Sequence, residues 1–353
     1  MKRRLIVLGV LCAASTVLRA DEGRIPVYQQ TMITESGSYI LTRDISVSSG
    51  VVIEIKPPAS HVTLDLGGHT IQSGSSSQPA ILVLSVPFVT IRNGLIQGGS
   101  PAIQQGVSSR RLRVENVEIA DAKDAGVRAN PLGSVEIAGC HIHDIDGTGL
   151  YLLDTENLME PTYGARIVDN VIERVTGNGI FLTGVRSAEI RRNRISDWGT
   201  TGSFSGITLQ PVDPDTTCGG SIIADNVLGT IYATSGTGLF LGCSRNLVTG
   251  NVVRGATARG IWVISDENRI ERNISSGNTG HGIEVGVSGF PTFATRNHLE
   301  ANQVEGNLGA ASCGISFANG NGHTFRNNVA RGNPTAICGG SLGTNTDAGG
   351  NLP

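Results

Sequence analysis

From residue 124 onward the apolar positions of the chain come in short alternating bursts separated by polar turns, not in the broad stripes of amphipathic helices. A Gly followed by an apolar residue, any residue and a second apolar residue recurs as GVRA at 126, GLYL at 149, GIFL at 179, GITL at 206, GLFL at 238, GIWV at 260, GIEV at 282 and GISF at 314. The spacings are 23, 30, 27, 32, 22, 22 and 32 residues. A second motif runs in phase, an apolar residue three before an Asn and another two after it: Ile167/Asn170/Ile172, Ile190/Asn193/Ile195, Ile223/Asn226/Leu228, Val248/Asn251/Val253 and Leu299/Asn302/Val304. Each repeat therefore holds two or three short strands. Looser versions precede them, in GVVIEI at 50, VTLDLGGHTI at 62, AILV at 80 and VTIRNGLI at 89.

A minimal period of 22 residues leaves no room for the paired helices of ankyrin-like or tetratricopeptide-like arrays. It predicts one turn of a parallel β-helix, with counterpart strands stacked ~4.8 Å apart and each repeated apolar position pointing into a shared column. The in-phase Asn suits a tight turn because it tolerates the left-handed conformation, and its amide can bond the identical amide of the next coil.

These repeats, and above all VTLDLGGHTI followed by VTIRNGLI, resemble the right-handed parallel β-helix proteins of the pectate-lyase-like superfamily, including the NosD-like repeat group, over roughly residues 37–340. The resemblance implies an all-β, single-stranded right-handed parallel β-helix solenoid of about 11–12 coils. It implies fold far more than activity, since such folds host lyases, hydrolases, epimerases, adhesins and binding proteins.

Composition agrees: 48 Gly supply turns, and with aromatics at 4% the core must be Ile, Val, Leu and Ala. At the N-terminus Lys2, Arg3 and Arg4 precede the apolar run Leu5 to Ala14, and Ala20 stands before Asp21-Glu22, the pattern of a secretory signal peptide spanning 1–20. The remainder, 21–353, reads as a single β-helix domain of a monomer, secreted or periplasmic, with no apolar stretch near the ~20 residues of a membrane span. Removing Lys2, Arg3, Arg4 and Arg19 leaves 23 basic against 30 acidic residues, so nucleic acid is excluded as a partner.

Of the polygalacturonase-like set only Gly280-His281-Gly282 is present; no Asp-Asp dipeptide occurs, and Arg269-Ile270-Glu271 precedes the His, so Gly-His-Gly reads as an ordinary repeat start. Epimerase-like members carry Asp-Pro-His-Asp, whereas Asp213-Pro214-Asp215 lacks the His. A lyase base is not apparent, because the mature chain has only Lys56 and Lys123, and Arg191, Arg192 and Arg194 read as a surface charge ladder with Asp169 and Asp225 beside Arg192. No cofactor is called for: Asp213 and Asp215 offer calcium no more than a solvated turn. His141 and His143, with Glu118 and Glu173 in adjacent coils, share one strand face that reads as solvated, so no metal site is expected. Met32 and Met159 form no soft-ligand cluster of the kind a copper-handling accessory role would need.

One constellation stands out. In each Gly-opened strand the residue between the two inward positions must point outward. Down the coils it reads Arg128, Tyr151, Phe181, Thr208, Phe240, Trp262, Glu284 and Ser316, placing four of the chain's 15 aromatics in one column. Sugar rings present flat C–H faces that stack on such side chains, while the Tyr O–H, the Trp N–H, Arg128 and Glu284 would bond their edges. A polysaccharide is the expected partner, with no catalytic residue assigned; the alternative is a structural or adhesive surface protein with no glycan site. Insertions at 154–164, 211–220 and 287–296 follow this strand and either cover the rings or wall a groove, with 198–203 and 231–235 opposite. If the site is catalytic, Asp154, Asp215 and Glu284 are the best-placed acids, with Arg128 or His281 nearby.

Of the five cysteines after residue 20, Cys218 and Cys243 occupy equivalent places in successive coils and are expected to form a disulfide. Cys313 and Cys338, three positions out of register, are a looser match. Cys140, at a turn beside Gly139, reads as a buried free thiol.

Overall fold

The computed structural model describes residues 23–353 apart from 107–108, 131–132, 154–163, 201, 213–217, 230–234, 288–293 and 340–343. The expected signal peptide lies outside the described residues, as do most of the three insertions. Among the described residues every regular element is a strand, all inter-strand pairings are parallel, and the strands wind into a solenoid of about 11 turns.

Three apolar columns fill the interior. One runs along the Gly-opened strands, Leu150, Ile180, Ile207, Leu239, Ile261, Ile283 and Ile315, each paired in register with the next. A second follows Ile167, Ile190, Ile223, Val248, Ile270, Leu299 and Phe325. The third runs Ile172, Ile195, Leu228, Val253, Val304 and Ala330, interrupted between Val253 and Val304 by Ser275, whose hydroxyl donates to the Gly282 carbonyl at 2.7 Å. All of these side chains are buried, so aliphatic stacking makes the core. The repeat Gly is dictated by close approach: a Cβ on Gly179 would lie 2.5 Å from Ile195 Cγ2 and 2.6 Å from the Gly206 carbonyl oxygen.

The recurring Asn form the anticipated amide ladder, longer than the five positions read from the motif. Nδ2 of Asn170 donates to Oδ1 of Asn193, and the chain continues through Asn226, Asn251, Asn273, Asn302 and Asn328 to Asn351, with every link at 2.9–3.0 Å. Most of these amides also donate to a backbone carbonyl, as Asn251 does to Ile223 at 2.8 Å, and nearly every Oδ1 takes a backbone N–H from the coil before. The expected left-handed conformation, however, falls on the residue before each Asn: Asp169, Arg192, Asp225, Gly250, Arg272, Ala301 and Asn327 have φ between 52° and 67°. The Asn itself must point inward to reach its counterpart, so the reversal is carried by its exposed neighbour.

Two further ladders emerge. Asn246, Asn268 and Asn297 link to one another at 2.9 and 3.1 Å, and His323 Nδ1 accepts from the Asn297 N–H at 3.2 Å. Asn278, Asn307 and Asn333 form the third. Cys140 heads the first: its N–H donates to Asn170 Oδ1 at 2.9 Å, and its thiol faces the Val114 and Ala138 carbonyls. It is the buried free thiol anticipated, its pKa pushed up to about 11 by burial. Both disulfides form, Cys218–Cys243 and Cys313–Cys338, with Cα separations of 5.2 and 6.0 Å; two such bridges indicate an oxidising environment. The surface charge ladder is present too, Arg192 gripping Asp169 at 2.7 and 2.8 Å. Among the described residues no helix is long and apolar enough to cross a membrane.

Candidate functional site

The strand His141–Leu153 and its successors Ile180–Thr183, Ser203–Gln210, Ser235–Leu241, Ile261–Val263, Ile283–Val285 and Cys313–Phe317 carry the outward column. Register confirms its membership: Arg128 faces Tyr151, then Phe181, Thr208, Phe240, Trp262, Glu284 and Ser316 follow one coil at a time.

The rings are half-buried and pair off. Tyr151 and Phe181 meet edge to face at 5.1 Å, as do Phe240 and Trp262 at 5.1 Å, the arrangement the ring quadrupoles favour. Thr208 stands between the two pairs, and its short side chain leaves a hollow of about 520 Å³. Phe181, Phe240 and Trp262 line it together with Phe204, Asn178 and Arg259. A second hollow of about 330 Å³ adjoins it across Ala258 and Arg259 and is bordered by His281 and Ser312. Gly280-His281-Gly282 is an ordinary repeat start here, Gly282 preceding the inward Ile283, and His281 Nδ1 accepts the Cys313 N–H at 2.9 Å.

Several polar groups are already engaged. Arg128 bonds Asp124 at 2.7 Å and lies over the Tyr151 ring, 4.9 Å from its centroid. The Trp262 indole N–H donates to the Gly286 carbonyl at 3.0 Å, so it is not a free sugar-edge donor. Glu284 stands in the column but is 2% exposed, its carboxylate held by Arg259. Arg259 in turn stacks on Trp262, its guanidinium carbon 4.1 Å from the ring centroid. The Arg259–Glu284 pair therefore covers one face of the Trp262 ring and leaves the described lining of the groove nearly neutral.

Trp198, expected in the opposite wall, is fully buried in the core. Asp197 before it has φ 53°, which breaks the alternation and turns the indole inward beside Val175. Positions 201 and 231–234 of that wall, and Asp154, Asp213 and Asp215, lie outside the described residues. Asn178 and Arg259 immediately precede a repeat Gly and Phe204 stands two before one, outside the Gly-opened motif whose alternation points to the column. Asn178 Oδ1 accepts from the Ser205 N–H at 2.8 Å and the Thr208 hydroxyl at 3.3 Å, setting the floor of the hollow.

Residues 158–330 match the family model described as the right handed beta helix region. No curated protein matches the chain. Among solved structures it is similar to the A-module of a mannuronan C-5 epimerase from Azotobacter vinelandii, with 12% identity, a TM-score of 0.53, and coverage of 90% of this chain and 91% of that one. It is similar to the Dettilon tailspike protein at 12% identity and TM-score 0.51, covering 89% of this chain and 60% of that one. The receptor binding domain of the siphovirus 9NA tailspike gives 11% identity and TM-score 0.51, covering 93% and 73%. At these identities the likeness is one of fold.

Proposed function

The chain is a right-handed parallel β-helix repeat protein, and from that premise we propose that it binds a polysaccharide along the aromatic strand face, in an exported setting. The carrying observation is the pair of edge-to-face aromatic couples, Tyr151–Phe181 and Phe240–Trp262, bracketing the hollow over Thr208. A flat ring that stacks on half-buried aromatics sheds water from both faces, while Gln210, Asn178 and Ser205 offer hydrogen-bonding groups at the hollow's edge. The basic N-terminal segment with its apolar run and the two disulfides support export. A mannuronan epimerase module built on a similar solenoid supports a polysaccharide as the ligand.

The glycan class follows from charge. Arg259 is the one ionic residue around the larger hollow among the described residues, and Glu284 neutralises it. A neutral polysaccharide fits this groove better than a polyuronate, which would need an uncompensated cation. No bond cleavage is assigned, because Glu284, the carboxylate of the column among the described residues, is held in an ion pair.

Probing the purified protein against neutral and acidic polysaccharides tests the reading. Trp262→Ala is expected to weaken binding of the neutral ligand tenfold or more, about 1.4 kcal/mol. Unchanged binding in the variant would put the ligand away from the aromatic column, and binding by neither protein would leave the solenoid a structural or adhesive rod.

A further inference from the structure

A second constellation lies on a different face of the solenoid from the groove. There the strands Arg111–Ala120, His141–Leu153 and Val171–Val175 run in parallel register, with Glu118 opposite His141 and His143 opposite Glu173. Residues two apart on a strand share a face, and the His141 and His143 rings lie 4.3 Å apart between centroids. His143 Nε2 is 3.2 Å from Glu118 Oε1, and His141 Nε2 is 3.2 Å from Glu173 Oε1. One ligand atom each from Glu118, His141 and His143 falls within 4.8 Å of the others.

What separates this cluster from a solvated face is its support. His143 Nδ1 lies 2.6 Å from Asp144 Oδ2 while its Nε2 lies 3.2 Å from Glu118 Oε1, so an ion seated between Nε2 and Glu118 takes the place of the proton they share and Asp144 keeps the proton on Nδ1. Asp144 is itself clamped by Arg174 through two bonds of 2.7 and 3.0 Å, and the same guanidinium holds Glu173 at 2.6 Å. A carboxylate that orients the far nitrogen of a histidine is the usual second layer of an imidazole metal site. In the other mixed cluster, Glu271, His298 and Glu300, Arg269 and Arg326 neutralise the two carboxylates, and among the described residues no side chain bonds the histidine's Nδ1.

We propose that Glu118, His141 and His143, with Glu173 as the fourth donor, bind a divalent ion of the zinc class, bridging three successive coils. Two imidazoles and two carboxylates suit a borderline ion in tetrahedral geometry, whereas calcium and magnesium demand more oxygen donors. Glu173 turns from Arg174 toward the ion on binding, and Arg174 stays on Asp144.

Zinc chloride titrated into tag-free protein, against a chromophoric chelator, tests this directly. One zinc per chain should bind, should raise the thermal unfolding midpoint, and should not be displaced by a large excess of magnesium. His141→Asn together with His143→Asn should weaken zinc binding at least tenfold, Asp144→Asn should weaken it less, and His298→Asn should leave it unchanged. Absence of saturable zinc binding would overturn the proposal, as would a double variant that is folded by circular dichroism and binds zinc like the wild type. Polysaccharide binding is not a readout, so the outcome is independent of the groove.

Discussion

The coils before residue 140 and those after it bury the same aliphatic columns but secure their turns by different means. In the early coils long strands such as Phe88–Gly98 and Arg111–Ala120 sweep through the bend, and the polar groups gather on single hubs. Asp65 is the clearest: it accepts from the Gly67 N–H at 3.0 Å, Arg92 at 3.1 Å, Asn93 at 3.2 Å and Arg24 at 3.4 Å. In the later coils strands such as Val252–Arg254 are three residues long, and the turns are held by amides that bond their own copies above and below. A hub satisfies one place, whereas a ladder imposes the same geometry on every turn it crosses. The aromatic groove sits where the ladders run, so its rings are spaced by a repeating backbone.

The largest effect should come from cutting a ladder. Asn251→Ala removes the acceptor of the Asn226 N–H and amide and the donor to Asn273 and Ile223, stranding buried polar groups. A loss on the order of 3–5 kcal/mol is expected in denaturant unfolding. Hydrogen exchange should show the loosening spreading to coils on both sides, since solenoid stability is a nearest-neighbour sum. Asp65→Ala should cost about 1–2 kcal/mol, because its arginine partners are partly solvated. Its increased exchange should stay within residues 24–93; spreading into the later coils would erase the distinction between hub and ladder.

The smallest effect concerns a flaw in the second ladder. His323 occupies an Asn place, and burial holds its imidazole below the ordinary histidine pKa. The folded state therefore takes up a proton less readily than the unfolded chain, so stability is full above about pH 6.5 and declines as pH falls through and below it. His323→Asn should flatten that decline in unfolding midpoints measured from pH 7.5 to 5. An unaltered slope would assign the acid sensitivity elsewhere.

Most of the fold was legible because a period of two locked to a repeating Gly leaves only one way for each strand to face. Cys218–Cys243 was legible for the same reason, the two positions being register equivalents. The first Asn ladder was visible because apolar residues frame it on both sides. The ladders through Asn268 and Asn278 were hidden, the positions three before and two after being Ser265 and Ile270 in one case and Ser275 and Gly280 in the other. At the groove, alternation placed every ring in its column but could not show that Arg259, from the coil before, folds over Glu284 and takes it out of solvent. Nor could it foresee the positive φ at Asp197 that sends Trp198 inward.

Gly238, Gly260 and Gly282 are 22 residues apart, and the ladder residues Asn246 and Asn268, and Asn251 and Asn273, keep the same interval. Excising residues 260–281 would therefore set Leu239 on Ile283, Asn246 on Asn297 and Asn251 on Asn302, with both disulfides untouched. The molecule is in this sense a stack of interchangeable tiles, and its length, like the number of rings along its groove, is free to change by whole tiles as genes duplicate or lose them.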